Sequence, residues 1–291
     1  MRVLHLDSGK EMRGGQWQVL SLLKGLGAGN TLLTPAAGPL MNEAKAHNLA
    51  VEPLTMLSLG AMINDYDVIH AHDARSHTWA AALPRVPLVV SRRVGFPVGK
   101  TFLSRWKYGR ADRYLAVSEH VKRTLVEAEI PEHKISVIYD GVDLPQTVAQ
   151  GERVIAPATL DPMKGSDLAQ EAARIAGVDL HFSEDLQADL PTASLLVYIT
   201  RSEGLGSAAL LAMAHGVPVV ASAVGGLPEI VRHCENGILT ENEPNAIAEA
   251  IGRALELRPT LSANARACIE QQFSSRNMID RTREVYDRVV R

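Results

Sequence analysis

A chain of 291 residues, 46% hydrophobic and 22% charged, exceeds what one ordinary core organises and suits two domains of roughly 140 residues each. Its formal charge of −3 gives no general attraction to polyanions, so no nucleic-acid partner is expected, and no apolar run reaches the roughly 18 residues of a membrane span. The opening MRVLHLDSGK lacks an apolar core of signal-peptide length and reads as a first strand, which makes the expected location cytoplasmic. Cys234 and Cys268 have no CxxC spacing and are expected as reduced thiols.

Short runs rich in Val, Ile and Leu recur along the chain, each followed by a turn signal and a helix-period segment. This is the βαβα pattern of parallel sheets. In the first half the expected strands are Val3–Asp7, Thr31–Thr34, Val51–Leu54, Val68–His70, Leu88–Ser91, Tyr114–Val117 and Ile135–Ile138. In the second half they are Val154–Ala156, Asp179–Phe182, Leu195–Thr200, Val217–Ala221 and Ile238–Thr240. Between the halves YDGVDLPQTVAQG, Tyr139–Gly151, is rich in Gly, Pro and polar residues and is placed as the hinge. The expected organisation is an N-terminal Rossmann-like domain over 1–145, a C-terminal one over 152–273, and a closing helix over 274–291.

Motifs at the carboxyl ends of parallel strands carry most weight, because loops and helix N-termini converge there. Gly14-Gly15 in MRGGQWQVLSLL precedes a helix expected near Gln16; paired glycines admit a close ligand, or serve only as turn chemistry. From Arg92 to Arg113 the bases Arg92, Arg93, Lys100, Arg105, Lys107, Arg110 and Arg113 face the single acid Asp112, with Phe96, Phe102, Trp106 and Tyr108 interleaved. That stretch suits a phosphate-bearing or membrane-surface partner, or equally a solvated helix whose aromatics enter the core. Lys164-Gly165 in ATLDPMKGSDLAQEA offers a point charge for a phosphate, or a plain surface turn. The stretch SEGLGSAALLAMAHGVPVVASAVGGLPEIV, Ser202–Val231, is more specific. Glu203 follows a strand directly, and Gly204 and Gly206 leave the next helix start open to an anion. A second strand then leads to Gly225-Gly226 and Pro228-Glu229, read as a second anion-ready helix start.

This stretch resembles the donor site of the family 4, retaining GT-B glycosyltransferases. It keeps Glu203, Gly204, Gly206, Ala212, Met213, Ala214, Gly216, Pro218, Val219, Val220, Gly225, Gly226, Pro228 and Glu229. The likeness runs in order through Gly14-Gly15, DVIHAH (Asp67–His72), Ala116-Val117-Ser118, IYDGVD (Ile138–Asp143) and Lys164-Gly165. It implies an α/β fold of GT-B architecture, with two Rossmann-like parallel-sheet domains facing a cleft and a nucleotide-diphosphate sugar held mainly by the second. Carried over by position, Lys164 contacts the diphosphate, Glu203 the sugar hydroxyls, and the amides of Gly204, Leu205, Gly206 and Ser207 the phosphates. Gly14, Gly15, Thr159 and Glu229 complete the donor set, and His72 and Arg93 join Glu203 and Lys164 as catalytic candidates. No cofactor is implied beyond the donor itself, and no metal: His70 and His72 share a strand face, but no third ligand stands near them in sequence.

Departures from the family pattern leave two readings. The arginine upstream of the lysine is Thr159, the second glutamate is Leu211, a family histidine is Arg93, and the interval from Lys164 to Glu203 is short, with no glycine-rich loop after Asp179–Phe182. One reading is an active transferase that moves a sugar, with retention, to a glycan, lipid-linked or lipopolysaccharide-type acceptor, with a peripheral inner-membrane contact through 92–113. The other is a catalytically silent GT-B protein that binds a nucleotide or a partner transferase.

Overall fold

In the computed structural model, which describes residues 1–83, 86–99 and 101–290, the chain divides into two units. One is Met1–Asp140 with Ser275–Arg291, the other Gly141–Ser274. The first unit is built on β1 (Val3–Leu6), β2 (Asn30–Thr34), β3 (Ala50–Pro53), β4 (Val68–Ala71), β5 (Leu88–Arg92), β6 (Arg113–Ala116) and β7 (Ile135–Val137). These make a parallel seven-stranded sheet in the order β3-β2-β1-β4-β5-β6-β7. The central strands VLHL and VIHA are buried at every position, as parallel strands covered on both faces are, and apart from His5 and His70 they are apolar. At the edge, β3 reads AVEP and is largely exposed, and its Pro53 removes a donor from the open edge.

The helices of this unit are α1 (Gly14–Leu26), α2 (Pro39–Ala46), α3 (Met56–Met62), α4 (Ala74–Ala81), α5 (Phe102–Gly109) and α6 (Glu119–Val126). Local chemistry sets their starts: Asp73 accepts from the amides of Arg75 and Ser76 at 2.8 and 3.0 Å, and Ser118 Oγ from Val121 N at 3.1 Å. α1 opens at Gly14 rather than near Gln16, because the Gln16 side chain turns back to accept from Arg13 N. Gln16 therefore lies inside the first turn.

The second unit carries β8 (Arg153–Pro157), β9 (Leu180–Ser183), β10 (Ala193–Tyr198), β11 (Val219–Ser222) and β12 (Ile238–Thr240) in the parallel order β12-β11-β10-β8-β9. Its helices are α7 (Ser166–Ala176), α8 (Leu186–Asp189), α9 (Ser207–Ala214), α10 (Leu227–Ile230), α11 (Pro244–Glu256) and α12 (Arg258–Gln272). Between β9 and β10 there is only α8 and a single 3-10 turn, so the sheet ends at β9. The short sequence interval between Lys164 and Glu203 thus holds α7, β9, α8, a 3-10 turn and β10.

Of Tyr139–Gly151, read as a hinge, residues 141–151 belong to the second unit and are tied into it by hydrogen bonds. Val142 N donates to Phe273 O, Ala149 N to His215 O, and Arg266 holds Pro145 O at 2.7 Å. The last helix, α13 (Ser275–Val290), is part of the first unit rather than a separate closing element. Its Met278, Ile279, Val285 and Tyr286 share a core with Val3, Leu22 and Val68. Gly25 makes the approach of α1 to α13 possible, since a Cβ there would stand 2.1 Å from Ile279 Cδ1.

Candidate functional site

Ligands of open α/β sheets bind outside the strand ends where the order reverses. In the second unit that point lies between β8 and β10. From β8 the chain passes Thr159, whose Oγ1 accepts from Asp161 N at 3.1 Å, and reaches the 3-10 turn that presents Lys164. From β10 it reaches Glu203. Lys164 Nζ donates to Glu203 Oε2 at 2.7 Å, and Tyr198 OH donates to the same oxygen at 2.6 Å. Gly204 N donates to Oε1 at 3.1 Å. Burial, reinforced by the neighbouring carboxylate, holds the Tyr198 phenol well above its usual range, so it remains a donor at any physiological pH. The Glu203 side chain is 16% exposed and Lys164 32%, so the pair is reachable but held in place.

Beside this pair lies a cavity of about 140 Å³, lined among others by Thr159, Lys164, Ser166, Phe182, Tyr198 and Ala208. Ser166 Oγ is buried there without a hydrogen-bond partner. α9 starts after Gly206 with no side-chain cap, so its first-turn amides are free of the bond that a capping side chain usually supplies. Ser207 is its half-buried first residue, whereas Leu205 is buried and turns to the core. Gly225-Gly226 does not form a second anion-ready start. Gly226 N donates to Glu203 O, Leu227 N donates to Val224 O, and α10 is only one turn long. A Cβ on Gly225 would stand 1.9 Å from Glu203 O, and one on Gly226 2.2 Å from Gly204 O. The glycines make room for the Glu203–Leu205 backbone and so hold the carboxylate's loop in position. Glu229 is half-buried in the first turn of α10.

In the first unit the order reverses between β1 and β4. Arg93, just beyond β5, donates from Nε to Asp140 Oδ1 at 3.1 Å, with both side chains largely buried and Arg93 Nη1 left without a partner. A Cβ on Gly15 would lie 3.8 Å from Arg93 Cδ, so the glycine pair and this arginine are neighbours. Gly14 opens α1 beside it. His72 is buried and its Nε2 lies 3.0 Å from His5 Nδ1, so its partner is a second imidazole and not the backbone. Asp7, at the end of β1, accepts from Gln16 Nε2 on both oxygens and from Gly9 N; burial raises its pKa.

Tyr198, Asp140, Asp7 and His5 are the site residues that sequence reasoning missed. Each had a weak signal: a tyrosine ending the aliphatic strand ASLLVY, an acid inside IYDGVD, an acid ending the first strand, and a histidine in mid-strand. None reveals its partner.

In the basic stretch the aromatics of α5 do not enter the core as a solvated helix was expected to place them, and the bases are largely occupied. Arg92 binds Tyr108 OH and Phe96 O, Lys107 binds Ala74 O, and Arg110 binds Ala81 O and Leu83 O, so much of the charge is turned onto carbonyls. Lys100 lies outside the described residues. α5 has no buried residue, and Phe102 and Leu103 are 82% and 72% exposed, with Phe96 and Trp106 also open. Its outward face is apolar, with Arg105 beside it.

Two doubly wound parallel sheets, with a lysine–glutamate pair at the reversal of the second, define the GT-B architecture. The fold is that of HepE from Anabaena, solved in complex with UDP and glucose, with a TM-score of 0.88 at 19% identity over 99% of both chains. Residues 23–146 match the family described as "Glycosyltransferase Family 4" and residues 137–257 the one described as "Glycosyl transferases group 1". The chain belongs to this family of GT-B glycosyltransferases. An uncharacterized glycosyltransferase of Methanocaldococcus jannaschii is 26% identical over 76% of this chain and 75% of its own. A D-inositol 3-phosphate glycosyltransferase of Streptomyces griseus subsp. griseus is 37% identical over 46% of this chain, a match that spans 31% of that enzyme's length.

Proposed function

We propose that this protein moves a sugar from a nucleoside-diphosphate sugar to a hydroxyl of a glycan or lipid-linked acceptor, with retention and without a catalytic metal. The observation that carries this reading is the convergence of Lys164 and Tyr198 on one oxygen of Glu203 at the sheet reversal. Lys164 neutralises the diphosphate, and the amides of Gly204–Ser207 at the uncapped start of α9 bind its oxygens. Glu203 accepts hydrogen bonds from the donor sugar while Tyr198 fixes its rotamer. As the anomeric C–O bond to phosphate breaks, the negative charge left on the diphosphate is what these groups stabilise. The acceptor oxygen bonds the same carbon and its proton leaves with the phosphate. Gly14, Gly15, His72 and Arg93 lie in the first unit, which in this reading takes the acceptor.

UDP is the first nucleotide to test, since HepE was solved with it. Calorimetric titration of UDP, GDP, ADP, CDP and dTDP is expected to show binding of one of them, weakened about tenfold to a hundredfold in Lys164→Ala. If none binds the wild-type chain, the reading fails.

The half-buried, apolar Leu211 on α9 favours the second reading, a silent GT-B protein that binds a nucleotide or a partner transferase, because it cannot accept hydrogen bonds from a ribose. Transfer or hydrolysis of a nucleotide sugar that disappears in Glu203→Ala separates the two.

No helix among the described residues is long and apolar enough to cross a membrane. The exposed apolar face of α5 supports a peripheral contact with the lipid surface that carries the acceptor. Phe102→Ser with Leu103→Ser is expected to reduce co-sedimentation with anionic vesicles several-fold while UDP affinity stays the same. Unchanged sedimentation removes the contact.

A further inference from the structure

On one face of the first unit's sheet lie three imidazoles. His5 on β1 and His70 on β4 are register partners, and His72, two residues beyond His70, points to the same side. One ring nitrogen of each lies within 4.8 Å of the others, and all three rings are buried. His70 and His72 ring centroids are 3.9 Å apart. No carboxylate is part of this cluster.

The protons on these rings can be placed. Asn30 Nδ2 donates to Gly27 O, so its Oδ1 is the atom turned to His5 Nε2, at 3.3 Å. A carbonyl oxygen only accepts, hence His5 carries its proton on Nε2 and bares a lone pair at Nδ1. That lone pair faces His72 Nε2 at 3.0 Å. In the protein alone His72 must therefore be protonated at Nε2, which leaves its Nδ1 buried with no partner. His70 is held by Tyr286 OH at Nδ1, 2.6 Å, and by Ser91 Oγ at Nε2, 2.8 Å. The array is one donor short of satisfying its own nitrogens.

We propose that His5, His70 and His72 form a structural site for one divalent cation of the zinc class. Three neutral imidazoles suit zinc rather than calcium or magnesium, which prefer oxygen. The bond from His5 Nε2–H to Asn30 is the outer hydrogen bond that metal-bound histidines make. His70 enters the set by releasing either Tyr286 or Ser91, and the one it keeps fills the same outer role. When bound, the ion accepts the lone pair of His5 Nδ1 and that of His72 Nε2, the His72 proton moving to Nδ1. The site joins β1 to β4 and, where Tyr286 is kept, to α13. It is independent of the donor-site reading.

The full chain, stripped with a chelator and dialysed, is offered zinc alone or cobalt(II) alone. Expected results are retention of a single ion per chain, visible absorption typical of low-coordinate cobalt(II), and a raised melting midpoint with zinc. His5→Gln and His72→Gln are expected to lose the ion, and His47→Gln, at an exposed histidine, to keep it. The proposal is overturned if the wild-type chain retains no stoichiometric ion and gives no cobalt band. It is equally overturned if both cluster variants retain the ion as wild type does. The wild-type spectrum decides the matter even if a variant does not fold.

Discussion

Glu203→Ala is expected to lower turnover of the nucleotide sugar by about 10²- to 10³-fold, roughly 3–4 kcal/mol of transition-state stabilisation. The same change removes the acceptor of Tyr198 OH, a buried hydroxyl, and that loss is expected to cost about 1–3 kcal/mol of stability. The two effects can be separated. Adding Tyr198→Phe to Glu203→Ala removes the stranded hydroxyl, so part of the stability should return while activity does not. If activity and stability recover together, Glu203 acts through the fold and not on the donor.

Acid should weaken the first unit through His77. This residue on α4 is buried, donates from Nε2 to Lys107 O at 3.2 Å, and meets Tyr108 edge-on. Burial, with the charge of Lys107 beside it, lowers its pKa from 6.5 to about 3. In the unfolded chain the imidazole takes a proton as the pH falls through 6.5, while in the folded chain it stays neutral until about 3. Between those values the unfolded state binds more protons, so stability falls as pH falls, by about 1.4 kcal/mol per pH unit from this side chain. His77→Gln keeps a donor for Lys107 O and has nothing to titrate. Between pH 7 and pH 5 the variant should lose about 2 kcal/mol less than wild type in the unfolding transition of this unit. Parallel profiles for the two proteins would mean that His77 is already protonated or already solvated in the folded state.

Much of the fold was legible because hydrophobic period is a local property. Every expected strand is present within one or two residues of its reading, the uncertainty usual for element ends. Where a boundary moved, a side chain acting across a few residues moved it, as Gln16 does for Arg13 at the start of α1.

The sequence by itself determined the alternating strands and helices, the family, and the placing of Lys164 and Glu203 at the ends of strands. The strands, helices and strand-end placements follow from patterns within about thirty residues, and the family from the order of such patterns along the chain. Tertiary structure alone decided who meets whom. It brought Tyr198 to the oxygen that Lys164 holds, and set Gly225-Gly226 against the Glu203 backbone instead of an anion. Likewise it returned α13 to the first unit, and paired His70 and His72 with a histidine 65 residues or more upstream, a register in which His5 faces His70. The physical reason is that a parallel sheet pairs strands separated by whole crossovers. Register and helix docking therefore select these contacts, and neither is written in the local period of the chain.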